Sequence, residues 1–537
     1  MSTYPTGDAE KRMKAPMASP EITTNNNSDN SDRISIYEGE AHVDNPQPEK
    51  PFQLWSTLGI AFAITSTPIA IGTYLSVSVG VGGSPVFFFG YILAVTMNFL
   101  VCASLAEMAA VFPHSAGQIF WTAELAPAKH ARGLSYIVGW LTCAGYFFWM
   151  AATILITSQL IWALVQICNS TFITQPWHFY VAYLAAGGFS FLVNVPLFRW
   201  YPYLLKGLVV YINVGALFII IVLLVRAHPK QSAEYVFVDI VNLTGWSSNG
   251  VVFFLGLLPG LTAVNGFDCA AHMAEEMPAP HRQVPQVMLL SALCNGLGGL
   301  VMILVLMFSI TNAANLLTPV GAQPVAQLLV DSLDSLALTV ISVVIFIICF
   351  FFSSATVMTT FSRVWWAFAR EGGVPFAGLM SRVNEKSLIP VNAVLFGFIG
   401  AALIGLIELG SSTALNAILG GAILCIFASY AIPITLSLLN KRSAFAAPHY
   451  CDLGRTFGTA LNVISVCWIV FVFVWLCFPL YVPVTPQTMN FAVVVFAGIV
   501  AISGINWVCY SHKIFTTPEA VIVSGRRESL PHLKLEA

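Results

Sequence analysis

The sequence predicts an all-α polytopic membrane protein with twelve transmembrane helices. Hydrophobic residues make up 57% of its 537 residues and charged residues only 9%, and the mean hydropathy is +0.79. A soluble domain has no need of so much apolar surface, whereas a helix that crosses a bilayer needs about 20 apolar residues in succession. Short polar breaks separate twelve such stretches, at 55–80, 84–111, 134–166, 178–198, 203–226, 250–277, 285–311, 335–362, 389–408, 413–435, 457–481 and 487–509.

Composition divides the chain into a membrane domain and two polar tails. Residues 1–50 contain polar runs such as TTNNNSDNSD and too few apolar residues for a core, which predicts a disordered N-terminal tail. Residues 51–510 form the membrane domain, and 511–537 form a second polar tail. The first tail contains no hydrophobic segment of the signal-peptide type, so we expect the first span itself to direct insertion.

Charges in the connecting loops predict the orientation. With an even number of spans, both tails lie on one side, and the loops on that side contain most of the lysines and arginines. The opposite loops contain only Arg226 and Lys230. Positive charge marks the cytoplasmic side, so both termini are predicted to be cytoplasmic. The glycosylation sequons at Asn169 and Asn242 fall in loops assigned to the outside, where modification is expected.

Two spans carry residues that interrupt a helix. Pro68 and Gly72 lie within the first span, and the sixth contains Pro259 and Gly266 at a similar depth. Proline removes a backbone donor and glycine adds conformational freedom, so both helices should unwind there. Paired interruptions in corresponding spans indicate an inverted repeat with a binding site between its halves. The repeats would span about 55–226 and 250–435, with two further helices at 457–509.

Three segments resemble a known transporter family. SLAEMAAVFPHSAGQIFWTAELAP (Ser104–Pro127) is similar to the second-span signature of the amino acid–polyamine–organocation (APC) superfamily. DCAAHMAEEMPAPHRQVPQ (Asp268–Gln286) and RVWWAFAREGGVP (Arg363–Pro375) resemble its fungal branch, the amino acid/choline permeases. The resemblance implies a LeuT-like 5+5 inverted-repeat fold with two additional helices, and alternating access at the plasma membrane. It also implies proton-coupled uptake of an amino acid or related small amine, with choline or a polyamine as the alternative.

The resemblance places the substrate at the two interruptions. There the N-termini of half-helices are expected to present unpaired N–H groups to a substrate carboxylate, and freed carbonyls can accept from its ammonium. The candidate binding residues are Ser66, Thr67, Ala70, Ile71 and Gly72 in the first span and Gly260, Thr262, Ala263, Asn265 and Asp268 in the sixth. An aromatic cage would suit choline, but the interruptions contain only Phe267, which tilts the prediction towards an amino acid or related amine. Aromatic residues of the third span (146–149) either cap the substrate or serve packing.

Five charged residues are candidates for coupling or gating: Glu107, Lys206, Glu275, Glu276 and Arg363. Glu107 is either structural or part of a gate, and Lys206 either occupies a coupling position or is an ordinary loop charge. Glu275 and Glu276 are expected to form gate ion pairs, with Arg282 and Arg363 as candidate partners, or a solvated helix end; a substrate site is the lesser alternative. Asp268 would contact a substrate cation, titrate with the coupled proton, or form a structural hydrogen bond. Hydroxyls of the eighth span offer a minor sodium-coupled alternative.

Other classes of function find little support in the sequence. We find no nucleophile–base pair or metal cluster of an enzyme, and no GxxxxGK[ST] loop of an ATP-driven pump. We therefore expect no catalytic residues, no metal, no cofactor and no nucleic-acid partner. The expected partners are a small-molecule substrate, a proton and the lipid bilayer. A nutrient receptor that keeps a transporter fold remains a second hypothesis.

Overall fold

The computed structural model describes residues 54–384, 389–409, 412–485 and 488–518, with the side chains of 408 and 412–419 left aside. The predicted N-terminal tail lies outside these residues, as does the second tail beyond 518. The described chain is helical, apart from one pair of two-residue strands. These strands, Val81–Gly82 and Val241–Asn242, pair antiparallel and join the end of the first span to the loop before the sixth.

The helices follow one another closely. In chain order they are α1 (Leu54–Thr65), α2 (Thr67–Ala70), α3 (Leu75–Gly80), α4 (Gly83–Val111), α5 (Gln118–Leu125), α6 (Ala128–Cys168), α7 (Pro176–Asn194), α8 (Tyr201–Arg226), α9 (Ala233–Phe237), α10 (Asn249–Leu255), α11 (Leu258–Ala263), α12 (Pro280–Phe308), α13 (Pro324–Leu333), α14 (Leu336–Arg370), α15 (Ala377–Met380), α16 (Val391–Gly405), α17 (Ser412–Leu439), α18 (Arg455–Trp475), α19 (Ala492–Asn506) and α20 (His512–Ile514). A 3₁₀ turn, Ile71–Tyr74, joins α2 to α3, and a 3₁₀ segment, Phe267–Glu276, follows α11.

Ten helical stretches in the described residues are long and apolar enough to cross a membrane. The predicted spans 178–198 and 389–408 correspond to α7, with 19 residues, and α16, with 15, which are not among the ten. The chain is therefore a multi-pass membrane protein. Several helices extend beyond their predicted spans, most clearly α6, which begins at Ala128 instead of 134, and α14, which ends at Arg370 instead of 362. Hydropathy marks the apolar part of a helix, and polar turns can continue beyond it.

Both predicted interruptions are present. The first span breaks at Ser66, whose φ of 45° places it in the left-handed region, and Pro68 lies in the first turn of α2. In the sixth span α11 ends at Ala263, and Gly266 has a φ of 78° before the 3₁₀ segment begins. That segment runs for ten residues, although 3₁₀ helices rarely exceed about four.

The core lies around α6 and α14, which pack against each other and against α17, α7 and α1. The start of the predicted second tail packs here as well. Ser511 and Phe515 are buried, and the Phe515 ring lies 5.8 Å from that of Phe368 on α14. Arg132 of α6 donates to the Phe515 carbonyl at 2.7 Å, so the chain remains docked for several residues after α19.

Candidate functional site

The two interrupted helices contact each other directly. The Thr67 hydroxyl donates to the Ala263 carbonyl, which joins the two breaks. The Thr67 N–H donates to Asn295 Oδ1 on α12 at 3.2 Å. Tyr91 of α4 donates to the carbonyl of Gly296, the next residue of α12, at 3.0 Å. The breaks are therefore held together by buried hydrogen bonds.

The backbone donors at the first break already have partners. The Ser66 N–H donates to the Phe62 carbonyl at 3.0 Å, and the N–H groups of Ile69 and Ala70 both donate to the Ser66 carbonyl at 2.9 Å. Pro68 has no N–H. The expectation of unpaired donors is thus wrong for residues 66–70. The left-handed backbone of Ser66 turns its carbonyl towards the following turn, which satisfies these groups internally.

Two adjoining cavities lie beside the breaks. The larger encloses about 450 Å³, including space open to solvent, between α1, α2, α6, α11 and α14. The smaller encloses about 290 Å³ and reaches Ala422 and Ile423 of α17. Tyr74, Trp149 and Thr262 line both, and Phe350 adds a further ring to the larger. The residues that line them include no aspartate, glutamate, lysine or arginine.

Most hydroxyl groups in the cavity walls bond to the backbone. Thr262 donates to the Pro259 carbonyl at 2.9 Å, and Ser353 of α14 donates to the Ile64 carbonyl at 3.0 Å. Asn265 differs, because its Nδ2 is buried and has no hydrogen-bond partner within the described chain. The cavities therefore offer aromatic rings, and two buried groups of their lining residues, the Thr65 hydroxyl and Asn265 Nδ2, have no hydrogen-bond partner within the described chain.

Six of the ten predicted substrate residues line these cavities. They are Thr67, Ala70, Ile71, Thr262, Ala263 and, in the smaller cavity, Asn265. Ser66, Gly72, Gly260 and Asp268 line neither. The Ser66 hydroxyl donates back to the Ala63 carbonyl, Gly72 packs on Val325, and Gly260 packs on Ala94 and Tyr91.

Asp268 lies in a closed polar cluster behind the cavity walls. Its side chain is fully buried, and its Oδ1 accepts hydrogen bonds from the Tyr146 and Tyr430 hydroxyls, each at 2.6 Å. Its Oδ2 accepts from Gln118 Nε2 at 2.5 Å and lies 3.4 Å from His272 Nε2. The structure thus surrounds this acid with donors from α5, α6 and α17.

Sequence reasoning did not select several of these residues. Tyr430, Gln118 and Asn295 were not predicted, nor were the rings of Tyr74 and Phe350. A polar side chain within an apolar span was the available signal, since such residues are rare in membranes and usually face the protein interior. That signal gives neither the direction of the side chain nor its partner.

An ion-pair cluster lies at the C-terminal end of the 3₁₀ segment, and we use that name for Glu275, Glu276, Arg363 and Arg370. Arg363 Nε lies 3.2 Å from Glu276 Oε1, and Arg370 Nη1 lies 3.3 Å from Glu275 Oε2. Ser115 also donates to Glu275. The expected pairing of Glu276 with Arg363 is therefore present, near the C-terminal end of α14, whereas Arg282 instead lies over the Tyr450 ring.

Glu107 is held by Arg442, whose Nη2 donates to both carboxylate oxygens at 2.6 Å. The Leu453 N–H donates to Oε1 at 3.1 Å. Ligand atoms of Glu107, His449 and Asp452 lie within 4.8 Å of one another, a spacing that a metal ion could use. Because Arg442 already neutralises and occupies the Glu107 carboxylate, this donor set fits a structural ion pair better than a cation.

The other predicted positions lie apart from the cavities. Lys206 is exposed near the start of α8 and forms no ion pair within the described chain. Asn169 is exposed immediately after α6. Asn242 is half-buried, and its amide donates to the Trp246 carbonyl at 2.7 Å, so it is less free than Asn169.

Interrupted spanning helices that meet at a central cavity define a class of protein, the membrane transporters. The comparisons with known proteins identify the family. The sequence profile of the amino acid permeases matches residues 52–500. The chain belongs to this family, within the APC superfamily, and its relatives are permeases and not enzymes.

The relatives cover most of the chain and differ in what they carry. A choline transporter of Saccharomyces cerevisiae is 30% identical over 480 residues, which cover 89% of this chain and 84% of that protein. A polyamine transporter of the same yeast is 27% identical over 86% of this chain and 75% of its own length. An amino-acid permease of Arabidopsis thaliana is 26% identical over 89% of this chain and 94% of its own.

Proposed function

We propose that the protein is a secondary transporter that takes up a small organic amine together with a proton. A quaternary ammonium of the choline type is the substrate that the geometry supports best. The observation that carries this choice is the cavity lining, in which Tyr74, Trp149 and Phe350 contribute rings and no acid is present. Aromatic rings recognise a quaternary ammonium, a cation whose charged group has no N–H to donate.

This choice reverses the tilt of the sequence towards an amino acid. The sequence interruptions contain only Phe267, whereas the folded cavity draws its rings from three separate helical segments. The satisfied donors at residues 66–70 point the same way, because a substrate carboxylate would have to displace existing hydrogen bonds there. The similarity to a choline transporter supports the proposal.

An amino acid, GABA-like, neutral or basic, is the second candidate. Asn265 favours it, because this residue lines the smaller cavity and its buried Nδ2 has no partner within the described chain, so a small rotation of the side chain would let it donate to a carboxylate. Leaving a buried donor unsatisfied costs about 1–3 kcal/mol, which a bound carboxylate would recover.

Alternating access in this proposal uses a 5+5 inverted repeat of about 55–226 and 250–435, followed by two helices. The paired interruptions of the first and sixth spans support the repeat. Loop charge supports cytoplasmic termini, and the resemblance to the fungal permeases supports residence at the plasma membrane. In that orientation the ion-pair cluster is the inner gate, and Asn169 is the better placed glycosylation site.

Uptake in permease-deficient yeast tests the proposal. Radiolabelled choline, GABA, neutral and basic amino acids and a polyamine are offered at outside pH of about 5 and about 7, with and without sodium. We expect choline uptake that is stronger at the lower pH and independent of sodium. No uptake of any compound despite surface expression would refute the proposal and favour the receptor hypothesis.

Two variants separate the substrate candidates. Trp149→Leu removes a ring, and because a desolvated cation–π contact contributes about 2 kcal/mol, the KM for choline should rise about thirtyfold. Trp149→Phe keeps an aromatic face and is the matched control. Asn265→Ala should lower amino acid uptake and leave choline uptake unchanged. The reverse pattern would assign the site to an amino acid.

A further inference from the structure

The pair formed by Asp268 and His272 lies between the cavities and the ion-pair cluster. We propose that His272 is the group that takes up and releases the coupled proton, with Asp268 as its fixed negative partner. The inference rests on the proposed function, because a coupled proton requires a transporter. The sequence made Asp268 a candidate for the group that titrates with the coupled proton, and we assign that role to the nearby His272.

The surroundings of the imidazole require an additional proton. His272 Nδ1 lies 3.0 Å from the Ser115 carbonyl oxygen, an acceptor, so Nδ1 must carry a hydrogen. The other ring nitrogen, Nε2, lies 3.4 Å from Asp268 Oδ2. A neutral imidazole has only one N–H, so Nε2 would then present a lone pair to a carboxylate oxygen. A proton on one of these two atoms removes the conflict.

Three hydrogen bonds place that proton on the histidine. Tyr146, Tyr430 and Gln118 all donate to Asp268, and donors of this kind stabilise the ionised carboxylate. A buried anion at membrane depth needs a cation. Within the described chain, His272 is the only cationic group in contact with Asp268. The contacts therefore fit an imidazolium–carboxylate ion pair, although Nε2 has no hydrogen-bond partner among the described residues at its 3.4 Å distance from Oδ2.

Within the described residues, the helices packed around the pair direct no other charge at it. A further buried histidine, His114, lies in the loop after α4, with its Nε2 3.9 Å from Glu275 Oε1 of the ion-pair cluster. α1 has no titratable side chain, α14 directs Arg363 to Glu276, and α12 directs His281 to the Ala110 carbonyl. The titratable groups that face Asp268 besides His272 are Tyr146 of α6, Tyr430 of α17, Cys102 of α4 and the adjacent Cys269. Thiols and phenols are neutral over the pH range in which histidine titrates.

Contacts join the pair to the cavities on one side. The Tyr146 ring stacks on that of Trp149, with centroids 6.3 Å apart and an interplanar angle of 10°. Tyr430 lies 3.4 Å from Asn265 Oδ1 as well as beside Asp268. Trp149 and Asn265 line the smaller cavity, so a change in the pair reaches the substrate site through two side chains.

Ser115 joins the pair to the ion-pair cluster on the other side. Its carbonyl is bonded to His272, and its hydroxyl donates to Glu275, which pairs with Arg370. His272 and Glu275 also belong to the same ten-residue 3₁₀ segment, a conformation that is rarely held over such a length. A shift of the pair therefore moves the acids of the cluster.

The proton step follows from these contacts. His272 Nε2 gains a proton from the cavity side and forms an N–H bond facing Asp268, which draws the pair together. When the ion-pair cluster opens, the same N–H bond breaks and the proton leaves to water on that side. The neutral ring then presents a lone pair to Oδ2, so the two side chains separate and the segment resets. No other bond is made or broken.

Proteoliposomes that contain the purified full-length protein test this inference with radiolabelled choline and, in parallel, GABA. Exchange at equal pH on both sides measures substrate movement alone. Accumulation under an inward gradient of about one pH unit measures coupling, because one proton then supports about tenfold accumulation. We expect His272→Gln to lose that tenfold accumulation and to keep exchange. Asp268→Asn should also lose accumulation and keep exchange. The amide N–H that this substitution introduces can donate to His272 Nε2, which favours the neutral ring.

His281→Gln is the matched control, since His281 also bonds a backbone carbonyl through Nδ1 but forms no ion pair in the described chain. It should accumulate substrate as the wild type does. Accumulation by His272→Gln at the wild-type level would overturn the inference, and Asp268→Asn decides if the first variant does not purify as a folded protein. If the wild type exchanges substrate but a pH gradient produces no accumulation, the inference is overturned and the transport function stands. Absence of wild-type exchange would overturn the proposed function instead.

Discussion

Replacing Glu107 with glutamine should destabilise the folded protein and leave the substrate cavity intact. Glu107 is 1% exposed and Arg442 is 3% exposed, so the substitution leaves a buried guanidinium without its counter-ion. Removing one partner of a buried pair costs about 3–5 kcal/mol. The glutamine oxygen can still accept from the Leu453 N–H, so the loss is mainly that of the charge pair.

Thermal unfolding of the purified protein in detergent measures the effect. We expect the Tm of Glu107→Gln to fall by at least about 5 °C. The double variant Glu107→Gln/Arg442→Gln should recover part of this loss, because no uncompensated charge remains. Glu234→Gln, at an exposed acid of α9, is the control and should melt with the wild type. A Glu107→Gln protein with unchanged Tm and no proton-driven uptake would refute a structural role and place Glu107 in coupling or gating.

Three further predictions concern the cavity, the second break and the end of α14. Thr262→Trp places an indole in the space shared by both cavities, so uptake should fall below detection at normal surface expression. Gly266→Ala puts a Cβ at a φ of 78° and 3.0 Å from the Trp149 ring; the strain of about 1–3 kcal/mol at the break should slow uptake. Gly188→Ala is the control, because its Cβ would meet no atom within 4 Å, and it should leave uptake unchanged. Burial raises the pKa of the Glu371 carboxyl, so its protonated form favours folding, and this stabilisation is lost as pH rises through the raised pKa. Glu371→Gln cannot titrate, so its Tm should vary less with pH over that window than the Tm of the wild type.

The interruptions could be predicted from the sequence because proline and glycine act on the backbone where they stand. Pro68 and Gly266 each lie beside an observed break, and no distant residue is needed to infer it. The ends of the helices were harder to predict. α14 continues to Arg370 because nothing after 362 breaks a helix, whereas the prediction ended where the apolar residues end.

The site was predicted only in part because side-chain direction depends on distant residues. Asp268 was recognised as a buried acid near the break, but its partners Gln118, Tyr146 and Tyr430 lie 122 or more residues away in the chain. The 3₁₀ geometry after Gly266 turns the carboxylate towards them and away from the cavity. A single sequence contains no sign of that turn.

The docked segment after α19 bears on how the protein is synthesised and handled. Arg132 bonds the carbonyl of His512, a residue made 380 positions later, so the packing of α6 is completed only after that later segment has been synthesised. A fusion partner attached at Ser511 would remove Phe515 from between Tyr136 and Phe368 and expose their rings. Tags and truncations placed after residue 518 keep this contact, and expression vectors should be designed accordingly.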